Sequence, residues 1–259
     1  MAKRSAQARR RRDRAETSYE QAYEGDNVRR LFDEPQWSPL GPAARSEPER
    51  DQKYRKNIRA QNDAQQALID AIDATPLVFA AGAAGTGKTY LAVAKGVEAL
   101  EAGRVRRIVL SRPAVEAGES LGFLPGDMEE KLSPYLRPLY DALCDRISGK
   151  RLKALMAEGV IEIAPIAYMR GRTLNSAYIV IDEAQNCTYV QLKMLLTRLG
   201  WNSSMVVTGD PAQTDLLPGM SGLESAMARL SKLDQVSIVR FTRADVVRHP
   251  LVAEMIDAL

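Results

Sequence analysis

The chain has 259 residues, 45% of them hydrophobic, with 36 Lys and Arg against 33 Asp and Glu, one histidine and a net charge of +3. That suffices for one well-buried core and an appendage. No run approaches the roughly 20 apolar residues of a membrane span, and the basic start is not followed by the apolar stretch of a secretory signal. Cys144 and Cys187 lie far apart and lack metal spacing, which argues against zinc or a disulfide and for a reducing, cytoplasmic setting with both as packing residues.

The charge is unevenly placed. Lys3, Arg4, Arg9, Arg10, Arg11, Arg12 and Arg14 stand against Asp13 in the first fourteen residues, +6 in all, which leaves −3 for the remainder. Such an arginine block repels itself; it is either a solubilising tail or a polyanion-binding arm that releases counterions on contact with nucleic acid. Pro35, Pro39, Pro42 and Pro48 then mark linker composition. We expect residues 1–53 to form a basic arm and linker, and residues 54–259 one folded domain.

Within that domain the periodicity predicts a helix at 60–72, then a strand at 77–81 that runs into Gly82-Ala83-Ala84-Gly85-Thr86-Gly87-Lys88-Thr89, with a helix at 88–101 behind it. This is a phosphate-binding loop in its required setting. Glycines let the backbone turn so that several N–H groups face one polyphosphate, and the following helix adds its positive end. Lys88 is placed to reach the outer phosphates and Thr89 to hold Mg2+.

Further strands are expected at 107–111, 160–164, 177–182, 204–208 and 236–241, and helices at 150–157, 190–199, 222–232 and 245–258. The helical region at 127–147 contains Pro134 and Pro138, which predicts a broken or late-starting helix. Alternation of this kind means a mostly parallel sheet with helices on both faces.

Two strand ends carry further chemistry. The run Ala177-Tyr178-Ile179-Val180-Ile181 ends in Asp182-Glu183. Asp182 is expected to take a magnesium-bound water opposite Thr89, and Glu183 to polarise the attacking water as general base. Thr208, Asp210 and Gln213 follow the 204–208 strand and are expected beside a γ-phosphate.

Several runs match one family in order: 110–118 (Leu-Ser-Arg-Pro-Ala-Val-Glu-Ala-Gly), 121–127 (Leu-Gly-Phe-Leu-Pro-Gly-Asp), 168–174 (Tyr-Met-Arg-Gly-Arg-Thr-Leu), 181–186 (Ile-Asp-Glu-Ala-Gln-Asn) and 245–252 (Asp-Val-Val-Arg-His-Pro-Leu-Val). Over residues 60–258 the chain resembles the PhoH family of phosphate-starvation-inducible-type ATPases. The resemblance implies a single RecA-like P-loop NTPase domain related to the front half of superfamily-1 helicases. It also implies ATP and Mg2+ as ligands, action on RNA, and a homo-oligomer in the form of a hexameric ring. One departure is an extra leucine in Gln213-Thr214-Asp215-Leu216-Leu217-Pro218, which predicts a differently shaped loop. Some members carry an amino-terminal PIN nuclease; residues 1–53 are too short for one.

By the same resemblance Gln65 lies where helicase-like ATPases read the adenine edge; the alternative is a solvent-facing helical glutamine. No Asn-Lys-x-Asp guanine-reading run occurs. Arg112, Arg170 and Arg172 either contact nucleic-acid phosphates or pair with nearby carboxylates such as Glu116 and Glu119. Tyr168-Met169 either stacks on a base or packs. Since one helix of chain follows the last strand, an arginine finger is expected from a neighbouring subunit, with Arg248, backed by Arg240 and Arg243, as the candidate beside a locally paired alternative. His249 is expected to be structural. The resulting function is an oligomeric ATPase that remodels RNA; the alternatives are a slow nucleotide-dependent RNA-binding switch and an ATP-linked ribonuclease.

Overall fold

The computed structural model describes residues 58–113 and 128–247, with side chains from residue 135 onward in the second stretch. The basic arm, the 114–127 run, Arg248, His249 and the expected terminal helix lie outside the described residues.

Six strands form one sheet: β1 (Leu77–Gly82), β2 (Arg107–Arg112), β3 (Ile161–Pro165), β4 (Ala177–Ile181), β5 (Ser204–Gly209) and β6 (Val236–Phe241), in the order β3-β2-β4-β5-β1-β6. Every pairing is parallel, as in Leu110↔Val180, Val180↔Val206 and Phe79↔Ile238. Strands buried on both faces must be apolar throughout, which is why β1 and β4 read as unbroken hydrophobic runs.

Side-chain alternation splits the core into two layers. Phe79, Ile179, Ile181 and Val207 point to one face, where they pack with Leu192 and Leu195 of α5 (Tyr189–Leu196) and Leu223 and Met227 of α6 (Leu223–Leu230). Their neighbours Val78, Ile108, Leu110, Tyr178 and Val180 are equally buried on the other face. That face is covered by α1 (Asp63–Ala74), α2 (Lys88–Glu101) and α3 (Met128–Cys144), while α4 (Gly149–Ala157) leans on β3. Tyr178 fits because residue 96 is glycine: a Cβ there would stand 2.7 Å from the tyrosine ring. The architecture is the RecA-like P-loop form, with one strand between the phosphate-loop strand and the Asp-Glu strand.

That strand order positions the site. Ala81 pairs with Gly209 and Ile181 with Val207, so β1 and β5 end within a residue of one another and β4 two residues short of β5. The loops that follow them open on the same edge of the sheet, as expected for ligand sites in open α/β sheets.

Two expectations are corrected. Residues 128–144 form one continuous helix despite Pro134 and Pro138. Pro138 faces solvent, while Leu136, Leu139 and Leu143 are buried; the apolar stripe offsets the hydrogen bond that the proline cannot make and holds the helix together. Cys187 is a packing residue, its thiol pushed up to about 12 by burial, but Cys144 at the end of α3 is exposed. No helix among the described residues is long and apolar enough to cross a membrane.

Candidate nucleotide site

The turn between β1 and α2 is built on left-handed glycines. Gly82, Gly85 and Gly87 have φ of 136°, 78° and 84°, values that a side chain resists. The buried Thr86 hydroxyl donates to the Ala83 carbonyl at 2.9 Å and ties the turn across itself. From outside, the Val247 amide donates to the Gly85 carbonyl at 3.0 Å.

Lys88 is buried, and its ammonium donates to the carbonyls of Gly82 at 2.6 Å and Ala83 at 2.7 Å. Desolvation pulls the amine below its ordinary pKa, against the opposing pull of Asp210, Glu183 and Asp182. It is therefore folded onto its own loop, a short swing from the cavity mouth.

Gln65 sits against the same turn. It is 5% exposed, so the solvent-facing alternative does not hold. Its amide nitrogen donates to the Thr86 carbonyl at 3.0 Å, and its oxygen accepts from the Gln61 amide at 2.9 Å. A Cβ on Gly87 would stand 3.0 Å from that amide nitrogen. In this structure Gln65 braces the phosphate loop.

Asp182 and Glu183 leave the end of β4 in different directions. Asp182 is 2% exposed, and its Oδ1 accepts two hydroxyl hydrogen bonds of 2.6 Å, from Thr89 and Thr208. Thr208 is thus a brace behind the carboxylate rather than a group beside a phosphate. Glu183 adopts a left-handed backbone (φ 53°, ψ 42°), which turns its side chain out of the β4 line. Its Oε2 accepts from the Gln185 amide, whose nitrogen also reaches the Gln213 carbonyl at 3.3 Å. The Gln185 oxygen in turn accepts from the Asp210 amide at 3.0 Å. A single buried carboxamide therefore links the expected base to both ends of the β5 loop.

Arg112, at the end of β2, supplies a cation to both acids. Its guanidinium nitrogens lie 3.5 Å from Asp182 Oδ2 and 3.4 Å from Glu183 Oε1. Arg172 binds Glu162 through both nitrogens, one contact being 2.6 Å, and Arg170 is exposed. Of the two readings for these arginines, Arg112 and Arg172 follow carboxylate pairing, with Asp182, Glu183 and Glu162 as the described partners; Glu116 and Glu119 lie outside the described residues. Met169 packs in the core and Tyr168 is 60% exposed. Arg240 is held by Glu224 at 3.1 Å, and Arg243 is exposed.

A cavity of about 250 Å³ is lined by Ala84, Gly85, Gly87, Lys88, Thr89, Tyr90, Asp182, Glu183, Gly209, Asp210 and Gln213. All three motifs meet in it. A larger crevice of about 510 Å³, bordered by Asp73, Lys95, Arg104, Tyr178 and Ser203, opens at the amino-terminal edge of the sheet and includes no expected site residue. The β5 loop is anchored by a paired contact, Asn186 with Asp215, at 2.7 and 2.8 Å; Leu217, further along the same loop, is 76% exposed.

Among the described residues no three His, Cys, Asp or Glu side chains gather into a self-contained metal cage. Thr89 and Asp182, 2.6 Å apart, offer two hard oxygen donors. That set fits magnesium, which takes few protein ligands and completes its shell with phosphates and water.

The PhoH-like protein family matches residues 57–259. The chain belongs to that family. The PhoH-like protein of Bacillus subtilis (strain 168) is 56% identical over 204 residues, covering 78% of this chain and 64% of the relative. The protein PhoH of Escherichia coli (strain K12) is 47% identical over 205 residues, covering 78% of this chain and 58% of the relative. The chain thus spans less than two thirds of the length of these PhoH relatives. Among solved structures, the large terminase from a thermophilic bacteriophage aligns with a TM-score of 0.47 and 11% identity, covering 77% of this chain and 50% of that one.

Proposed function

We propose that this PhoH-like chain is an ATPase that binds ATP with Mg2+ and couples its hydrolysis to the binding or remodelling of RNA as a homo-oligomer. The observation that carries the catalytic part is the 2.6 Å hydrogen bond between Thr89 and Asp182, which joins the phosphate loop to the acidic strand end within one cavity. Main-chain amides of residues 82–89 hold the polyphosphate, and Lys88 gives up the Gly82 and Ala83 carbonyls for the outer phosphates. Thr89 and Asp182 would hold magnesium, which when bound would neutralise phosphate charge. Glu183 accepts a proton from water as the water oxygen bonds to the γ-phosphorus; the bond from that phosphorus to the β–γ bridging oxygen breaks and ADP leaves. Gln213 and Asp210 flank the γ-phosphate, Gln65 steadies the loop at the adenine end, and Arg248 of a neighbouring copy stabilises charge in the transition state.

The RNA part is supported by the arginine block of residues 1–14. Addition of single-stranded RNA is expected to accelerate phosphate release several-fold. A flat response defeats the remodelling reading and favours a slow nucleotide-dependent switch.

A further inference from the structure

Arg112 ends β2, the strand beside β4, and the Asp182 amide extends that pairing by donating to the Ser111 carbonyl at 2.8 Å. This backbone link sets the guanidinium next to the two acids. At 3.5 and 3.4 Å its contacts are ion pairs rather than close hydrogen bonds, held by charge and open to exchange. The Asp182 side chain is almost wholly buried and the arginine is partly exposed, so the cation can leave more easily than the carboxylate.

The two oxygens of Asp182 are used differently. Oδ1 carries the Thr89 and Thr208 hydroxyls, and Oδ2 faces Arg112. A divalent cation on this carboxylate meets a guanidinium already beside it, and like charges a few ångströms apart repel strongly at partly buried sites. The same guanidinium steadies Glu183 Oε1, the oxygen opposite to the one that Gln185 holds.

Resting on the ATPase reading, we infer that Arg112 is a positioning residue with two opposed effects: it competes with the divalent metal for Asp182, and it orients Glu183 for water attack. A planar guanidinium can span both acids; an ammonium at the same place is a point charge that cannot.

The test uses the full chain with Mn2+ in place of Mg2+, and measures Mn2+·ADP binding by calorimetry beside steady-state turnover. Arg112→Gln removes the competing cation. It is expected to tighten Mn2+·ADP about 3–10-fold, with metal-free ADP affinity within about twofold of the parent, while kcat falls about tenfold or more as Glu183 loses its support. Arg112→Lys keeps a cation but not the span, so Mn2+·ADP affinity stays within about twofold of the parent and kcat still falls about tenfold. Unchanged or weaker Mn2+·ADP binding in Arg112→Gln, or parental turnover in Arg112→Lys, overturns the inference and leaves the ATPase reading standing. A parent that binds no Mn2+·ADP overturns both. Should Arg112→Gln not fold, Arg112→Lys alone decides.

Discussion

Gly82 and Phe241 meet so closely that a Cβ on the glycine would stand 2.0 Å from the phenylalanine carbonyl oxygen. They are register partners at the carboxyl ends of β1 and β6. The glycine that opens the phosphate loop is thus also the point where the sheet closes against its edge strand. Gly82→Ala is expected to destabilise the fold by more than about 3 kcal/mol, through clash and a φ that alanine resists. Gly171→Ala, where φ is 75° but nothing lies within 4 Å, is expected to cost about 1 kcal/mol. Urea denaturation of both variants checks the contrast; equal losses would show that Phe241 yields.

Glu183→Gln keeps the size and the backbone turn but cannot take a proton. We expect ATP affinity within a few-fold of the parent and phosphate release lowered about 100-fold or more. Lys88→Ala is expected to show the converse, losing affinity first, because its ammonium is the cation nearest the loop mouth. Equilibrium binding and single-turnover release separate the two.

Gln185 holds Glu183, the Gln213 carbonyl and the Asp210 amide together. Gln185→Ala strands a buried N–H on residue 210, which is expected to cost about 1–3 kcal/mol. Turnover should also fall about tenfold as the base loosens. Both effects are read from thermal melting and kcat; a stability loss without a rate loss would reduce Gln185 to a packing role.

The Arg172 guanidinium beside Glu162 holds that carboxyl below its ordinary range. The unfolded chain therefore takes up the proton first as pH falls. The contribution of the pair is complete above the usual carboxylate pKa of about 4–5 and is lost as pH falls through the lower, folded value. The melting temperature of Glu162→Gln should lie below the parent's at neutral pH, with the gap closing in acid. A gap constant from about pH 7 to about pH 3 would show that charge is not its source.

Much of this was readable in the chain because its chemistry is local. The phosphate loop is a run of consecutive residues, and the bounds of α2 and β6 follow directly from periodicity. Arg112 was not readable as a partner of Asp182 and Glu183, since they lie far apart along the chain and the contact depends on β2 lying beside β4. The setting of Thr208 is not legible in the chain for a related reason: facing in or out of the cavity is decided by strand parity and by what the neighbouring strand offers, here Asp182. Gln185 stood inside a recognised run, but its three contacts exist only after the β5 loop has folded over it. The prolines of α3 carry a local penalty, and the apolar stripe that offsets it, Leu136, Leu139 and Leu143, acts only once packed.

The left-handed backbone at Glu183 carries a consequence beyond geometry. Glycine or asparagine would occupy that conformation with less strain, on the order of 1 kcal/mol less, so on the proposed ATPase reading heat resistance and turnover pull this position in opposite directions. A library sorted for thermal survival alone would drift toward disarmed proteins at residue 183, gaining robustness as they lost the power to cut.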